Sequence, residues 1–151
     1  MSEWRSAVAA DDEAIVSMCL ALNAEDPGDK PVHPNQVRRT LETLRNEPLR
    51  GCAVVLDIDG VLCGYALLIS FWSNEVGGEL CTLDELFIVE GVRGKGHGTE
   101  LIERLARGDA LWARTAVAVA LEVTPANQRA MRLYQRLGFT GGNRVMRRRI
   151  D

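Results

Sequence analysis

Apolar and polar residues alternate from Trp4 to Val8 and predict a short first strand. Asp11-Asp12-Glu13 then supplies carboxylates that favour the positive end of a helix dipole, and Ile15, Met18, Cys19 and Leu22 form that helix's apolar stripe. From Ala24 to Pro34 the prolines and the Pro27-Gly28 pair predict a loop. Val37, Leu41 and Leu44 fall at i, i+4 and i+7 on a second helix, which Pro48 stops.

Gly51 to Ile58 and Val61 to Phe71 are β-rich runs about Asp59-Gly60, a residue pair suited to a tight hairpin turn. Trp72 to Gly78 breaks the pattern, Glu79 to Val89 reads as the next strand, and Glu90 to Arg93 connects it onward. From Gly94 the chain turns through glycines into a helix carrying Leu101, Ile102 and Leu105. Val117 to Val123 is almost wholly apolar, as a strand covered on both faces would be. Thr124 to Asn127 leads into a last helix with Ala130, Met131, Leu133, Tyr134 and Leu137, and Gly138 suits its C′ position. Phe139 to Ile150 reads as a turn and one strand. The order β-α-α-β-β-β-α-β-α-β predicts an α/β fold, a mixed sheet with helices on both faces.

Composition narrows the class. The 151 residues, 46% hydrophobic and 26% charged with a net charge of −3, suit one globular domain spanning 1–151. The longest charge-free run, Gly60 to Asn74, is too short to cross a membrane. The first residues carry no basic region followed by an apolar stretch, so no secretory signal is expected. The acidic balance argues against a nucleic-acid partner. A cytoplasmic domain without a membrane or nucleic-acid partner is the expectation. Cys19, Cys52, Cys63 and Cys81 form no Cys-x-x-Cys pair, and only His33 and His97 could assist them. We expect buried thiols and no metal.

Arg93-Gly94-Lys95-Gly96-His97-Gly98-Thr99 is the stretch with chemistry in it. Glycines at alternate positions between a strand and a helix bring backbone N–H groups close to a ligand, and the first helical turn has no internal partners for them. Arg93 and Lys95 add charge, so a pyrophosphate is a natural guest. A Walker loop would need Gly-Lys-[Ser/Thr] at its end, and a dinucleotide fingerprint would need its third glycine one residue later and an earlier strand. A glycine-rich loop that simply turns the chain remains open on these residues alone.

The surroundings add a resemblance. Arg93 to Gly98 matches the [Gln/Arg]-x-x-Gly-x-[Gly/Ala] signature of the GNAT acyl-CoA-dependent N-acyltransferases. Leu83-Asp84-Glu85-Leu86-Phe87-Ile88-Val89 is similar to the strand before it in that family, and Asn127 to Phe139 resembles the family's second motif. The resemblance implies a sheet in which two splayed parallel strands, here Asp84–Val89 and Val117–Val123, hold acetyl-CoA as cosubstrate. The pantetheine arm would bond the main chain of Leu86, Phe87 and Ile88, and the pyrophosphate would sit on the amides of Gly94 through Thr99. Lys95 and His97 stand there either as side-chain ligands or as exposed fillers. Asn127 would cap the last helix and touch the pantetheine. Tyr134, by default an amphipathic core residue, becomes the candidate general acid toward the CoA thiolate. Asp84 and Glu85 are the candidate bases, Asp84 favoured by its position relative to Arg93. Adjacent strand residues point to opposite faces, so one of the two would enter the acceptor pocket unless a β-bulge intervenes.

For the acceptor, the carboxylates Glu25, Asp26, Asp29, Glu75, Glu79 and Asp84 with Trp72 as an aromatic wall suit a small cationic amine, polyamine-like or aminoglycoside-like. The alternatives are a protein N-terminal or lysine acetyltransferase and a non-catalytic acyl-CoA sensor. The resemblance leaves room for a homodimer, on which the residues are silent. Arg144, Arg147, Arg148 and Arg149 would guard the edge of the last strand.

Overall fold

The computed structural model describes residues 1–109, 111–112, 114–142 and 144–150. Strand β1 (Ser2–Ser6) is followed by α1 (Asp12–Glu25) and α2 (Pro34–Asn46). Strands β2 (Gly51–Ile58), β3 (Val61–Ser73) and β4 (Gly78–Ile88) come next, then α3 (His97–Ala106), β5 (Ala118–Leu121) and α4 (Gln128–Arg136). The sheet order is β1-β2-β3-β4-β5; neighbours through β4 run antiparallel, and β4–β5 is parallel. The β2–β3 turn uses Asp59 (φ 51°) and Gly60 (φ 85°), both left-handed, as the right-handed twist of a tight hairpin requires.

Alternation along the central strands divides the core in two. Val54, Leu56, Ala66 and Leu68 pack with Trp4 against Leu101, Ile102 and Leu105 of α3. Val55, Tyr65 and Leu67 pack against Ile15, Val16 and Cys19 of α1 and Val37, Leu41 and Leu44 of α2. Helices therefore cover both faces. On β4 the alternation changes phase. Cys81 and Leu83 face α3, whereas Phe87 faces α1. The cause is a register shift in the β3–β4 ladder, where Leu68 opposes Leu83 but Leu67 opposes Glu85. Asp84 is the extra residue of a β-bulge. The opposite-face argument for Asp84 and Glu85 fails for that reason.

Four boundaries differ from the sequence expectation. β1 begins at Ser2, ahead of Trp4, and β3 runs on through Ser73, so Trp72 lies in a strand opposite Glu79. β5 is only Ala118–Leu121 and half-buried, since its outer edge has no strand partner among the described residues. The last strand expected within Phe139 to Ile150 is not formed among the described residues, and Asn143 lies outside them. Val145 and Met146 are neighbours and Arg147-Arg148-Arg149 follow, so neither face of that segment gathers an apolar row to bury. Val145, Met146 and Ile150 are accordingly exposed. No helix among the described residues is long and apolar enough to cross a membrane.

Candidate active site

Pairing between β4 and β5 ends at Leu83 opposite Leu121. The next residue on β4 is the bulged Asp84, and beyond it the two strands part. A cleft of about 500 Å³ begins there, walled by Leu86, Phe87 and Ile88 on one side and by Asn127, Ala130, Leu133 and Tyr134 of α4 on the other. The glycine loop closes one end, and Leu22 and Glu25 at the end of α1 lie along it. Val89 donates its N–H to Cys63 on β3 at 2.9 Å. By alternation the polar groups of Phe87 also face β3, and those of Leu86 and Ile88 face the open edge.

The glycine loop has the geometry of an anion cradle. Gly94 (φ 75°) and Gly96 (φ 87°) adopt left-handed backbone, and a Cβ on either would meet nothing within 4 Å. Conformation, not crowding, demands glycine there. Gly96 is the N-cap of α3, so the first-turn amides that follow it lack intrahelical acceptors. His97 and Thr99 line the cleft, whereas Lys95 is exposed outside it. Trp4 holds this turn from below: its indole N–H donates to the His97 carbonyl at 2.8 Å, while Arg104 donates to the Trp4 carbonyl at 2.8 Å. Sequence reasoning gave Trp4 to a strand and missed this anchor, which only the β1–α3 packing reveals.

Arg93 is a tie. Its Nε donates to the Ile88 carbonyl at 2.6 Å, its Nη2 to both Glu25 oxygens at 2.9 Å, and its guanidinium lies 5.3 Å from the Phe87 ring centre. The Glu25 charge expected for an acceptor amine is thus engaged by Arg93. Asn127 caps α4, its Oδ1 accepting from Ala130 N–H at 3.2 Å, while its amide nitrogen remains available to the cleft. Tyr134 stands in the same cleft, edge-on to Phe139 with ring centres 5.8 Å apart. Burial pushes its phenol above the ordinary value, so it stays protonated through neutral pH.

The two carboxylates of β4 part company. Glu85 accepts a hydrogen bond from the Tyr65 hydroxyl at 2.7 Å and from the Cys19 thiol at 3.6 Å. Burial raises its pKa, with Asp84 adding to the rise and the two donors opposing it. Asp84 is exposed; its pKa is raised by desolvation and Glu122 and lowered by Arg147, effects that solvent screens at that position. Glu85 lines a second cavity, of about 70 Å³, between β4, α1 and α2. It adjoins the main cleft: Cys19 and Leu22 are one turn apart on α1, and Glu85 and Phe87 share one face of β4. The structure brings Tyr134, Asn127 and the glycine loop into one cavity and Glu85 into its neighbour, and Asp84 lines neither. Trp72 and Glu75 line neither and are exposed, since Glu79 opposite Trp72 is about six residues, ~20 Å of extended strand, from Glu85.

Three residues absent from the sequence reading also line the cleft. Arg129, Arg132 and Arg136 recur at i, i+3 and i+7 on α4, a ridge beside its apolar face. The signal in the sequence is that spacing, which sets a basic row beside the apolar stripe of α4. Among the described residues no group of three or more His, Cys, Asp or Glu is arranged to hold a metal ion.

Comparison with known proteins places this geometry. A crystal structure of a possible acetyltransferase from Clostridium difficile superposes with a TM-score of 0.80 at 19% identity, covering 100% of this chain and 98% of that one. A Clostridium acetobutylicum protein described as an acetyltransferase and solved with acetyl-CoA superposes at 0.77 with 14% identity, covering 99% and 96%. At these identities the likeness establishes the fold. An uncharacterized N-acetyltransferase of Mycobacterium tuberculosis is 34% identical over 90 residues, 59% of this chain and 53% of the relative. The chain therefore spans about half the length of the curated relatives it matches. The model of the acetyltransferase (GNAT) family matches residues 6–139, from β1 through the end of α4. On that match the chain belongs to the GNAT acetyltransferase family.

Proposed function

We propose that this chain transfers an acetyl group from acetyl-CoA to a small primary amine by direct attack within a ternary complex. The observation that carries the reading is the cleft itself, with an amide cradle at one end, a stretch of β4 edge along it that has no strand partner among the described residues, and Tyr134 beside it. The left-handed Gly94 and Gly96, open on their Cβ side, fit a pyrophosphate approaching the backbone. Arg129, Arg132 and Arg136 supply positive charge for the phosphates.

An acceptor amine enters as an ammonium with a pKa near 10 and must lose a proton before attack. We assign that proton to Glu85, whose carboxylate is half-buried and at the end of a cavity, in preference to the exposed Asp84. The amine nitrogen then forms its bond to the thioester carbonyl carbon and gives up its second proton to solvent, and the C–S bond breaks with its electron pair leaving on sulfur. Tyr134 donates a hydrogen bond to that sulfur. A phenol with a raised pKa is a weaker acid than a thiol of pKa about 8.5, so Tyr134 keeps its proton and stabilises the leaving thiolate by that hydrogen bond, and the sulfur takes its proton from solvent.

Cys19 gives no acyl-enzyme alternative, because burial raises its thiol pKa to about 11. Initial rates measured while acetyl-CoA and amine are both varied should give intersecting lines, and the intact protein mass after acetyl-CoA alone should be unchanged. A stoichiometric acetyl adduct, with parallel lines, would overturn direct attack.

A further inference from the structure

The cavity at Glu85 says which amine this chain accepts, an inference that rests on the transfer reading above. Its floor is apolar: Ile15, Val37, Leu41 and Leu67 are all buried. Val32, Gln36 and Thr40 form its more exposed side. Glu85 is the single carboxylate lining it, already fixed in place by the Tyr65 hydroxyl. A cavity of about 70 Å³ accommodates about five water-sized groups at ~15 Å³ each.

On that floor a second ammonium would meet hydrocarbon and no second carboxylate among the described residues. None of the other acids suggested by the sequence lines this cavity: Glu25 is bound by Arg93, Asp26 accepts from Thr124 at 2.9 Å, Glu79 accepts from Ser70 at 2.7 Å and pairs with Arg114, Glu75 sits in the distal β3–β4 turn, and Asp29 and Asp84 are exposed. Burying an ammonium without a partner is strongly unfavourable, whereas an alkyl group on the same wall gains from leaving water. We propose that the acceptor is a primary monoamine with a compact apolar substituent, its nitrogen at Glu85 and its substituent among Ile15, Val32, Val37, Leu41 and Leu67. This replaces the polyamine-like acceptor that the acidic loops suggested.

n-Pentylamine and butane-1,4-diamine test it directly, because they differ by a methyl exchanged for an ammonium. The expected kcat/KM ratio is roughly a hundredfold or more in favour of pentylamine, with spermidine and kanamycin as poor as the diamine. Val32→Asp, on the more exposed side of the cavity, adds a carboxylate without touching the buried floor and should cut that ratio at least tenfold. Binding of both amines to the CoA-saturated protein, read by calorimetry, separates this inference from the reading beneath it. Pentylamine binding in preference to the diamine without turnover would uphold the pocket assignment and overturn the transfer function. Turnover of the diamine or spermidine equal to or above that of pentylamine would overturn the monoamine assignment and leave transfer intact. Absence of pentylamine binding would overturn it as well.

Discussion

At the scale of single residues the account turns on Glu85 and Tyr134. As the proposed base, Glu85 must be ionised, and burial raises its pKa from the ordinary carboxylate value. The kcat/KM profile should therefore fall as pH drops through that raised value, at a higher pH than an ordinary carboxylate would give. The groups facing Glu85 are Tyr65 and Cys19, both shifted upward and so silent in the acid range, together with Asp84 beside it on the strand. Asp84→Asn removes a repelling charge and should move the acid limb to lower pH, whereas Glu85→Gln should abolish the limb along with most of the rate. For Tyr134→Phe we expect kcat to fall roughly a hundredfold, the low end for losing one hydrogen bond to charge that develops in the transition state, with acetyl-CoA affinity unchanged. Full activity in that variant would remove Tyr134 from the chemistry. The sequence made Tyr134 and Asn127 visible because the motif fixes both on one helix face. It could not separate Asp84 from Glu85, because a bulge is a property of the pairing between β3 and β4 and leaves no mark on either strand alone.

Among the elements, the join between β1 and α3 matters most. Trp4 is 1% exposed and donates to the His97 carbonyl, so a strand at the far edge of the sheet fixes the first turn of the anion cradle. Trp4→Phe removes that donor while keeping most of the apolar bulk. The His97 carbonyl keeps its intrahelical bond, so the loss of the indole donor should cost about 0.5–1.5 kcal/mol of stability in denaturant unfolding and weaken acetyl-CoA binding several-fold. Unchanged affinity would show that the cradle holds its shape without Trp4. Elements with a clear period were legible from their residues: the stripes of α1 and α2, and the hairpin at Asp59-Gly60. The expected strand before Ile150 was not, because a run of apolar and β-prone residues does not form a strand when arginines occupy both of its faces.

For the molecule as a whole, two helical layers pack on one sheet, and the cleft lies where that sheet opens between its single parallel pair. The bulge that ends the β4–β5 pairing also turns Glu85 toward α1 and α2, so one irregularity sets both the β4–β5 cleft and the proposed acceptor cavity. With a net charge of −3 the protein would have to attract a polyanionic cosubstrate locally, and on the proposed reading the α4 arginines that line the cleft do so. Replacing Arg132 and Arg136 together by Ala should weaken acetyl-CoA binding about tenfold at low salt, with the difference shrinking as ionic strength rises. A loss independent of salt would mean the pair acts through helix packing.

The central claim is that acetyl transfer takes place in the β4–β5 cleft, and amine-dependent thiol release from acetyl-CoA measures it. Wild-type protein with saturating n-pentylamine should release CoA at a rate proportional to enzyme, and Gly96→Asp should abolish release, because it strains a left-handed residue and sets a negative charge on the anion cradle. Release that persists in Gly96→Asp, or none in the wild type with any primary amine, would contradict the account.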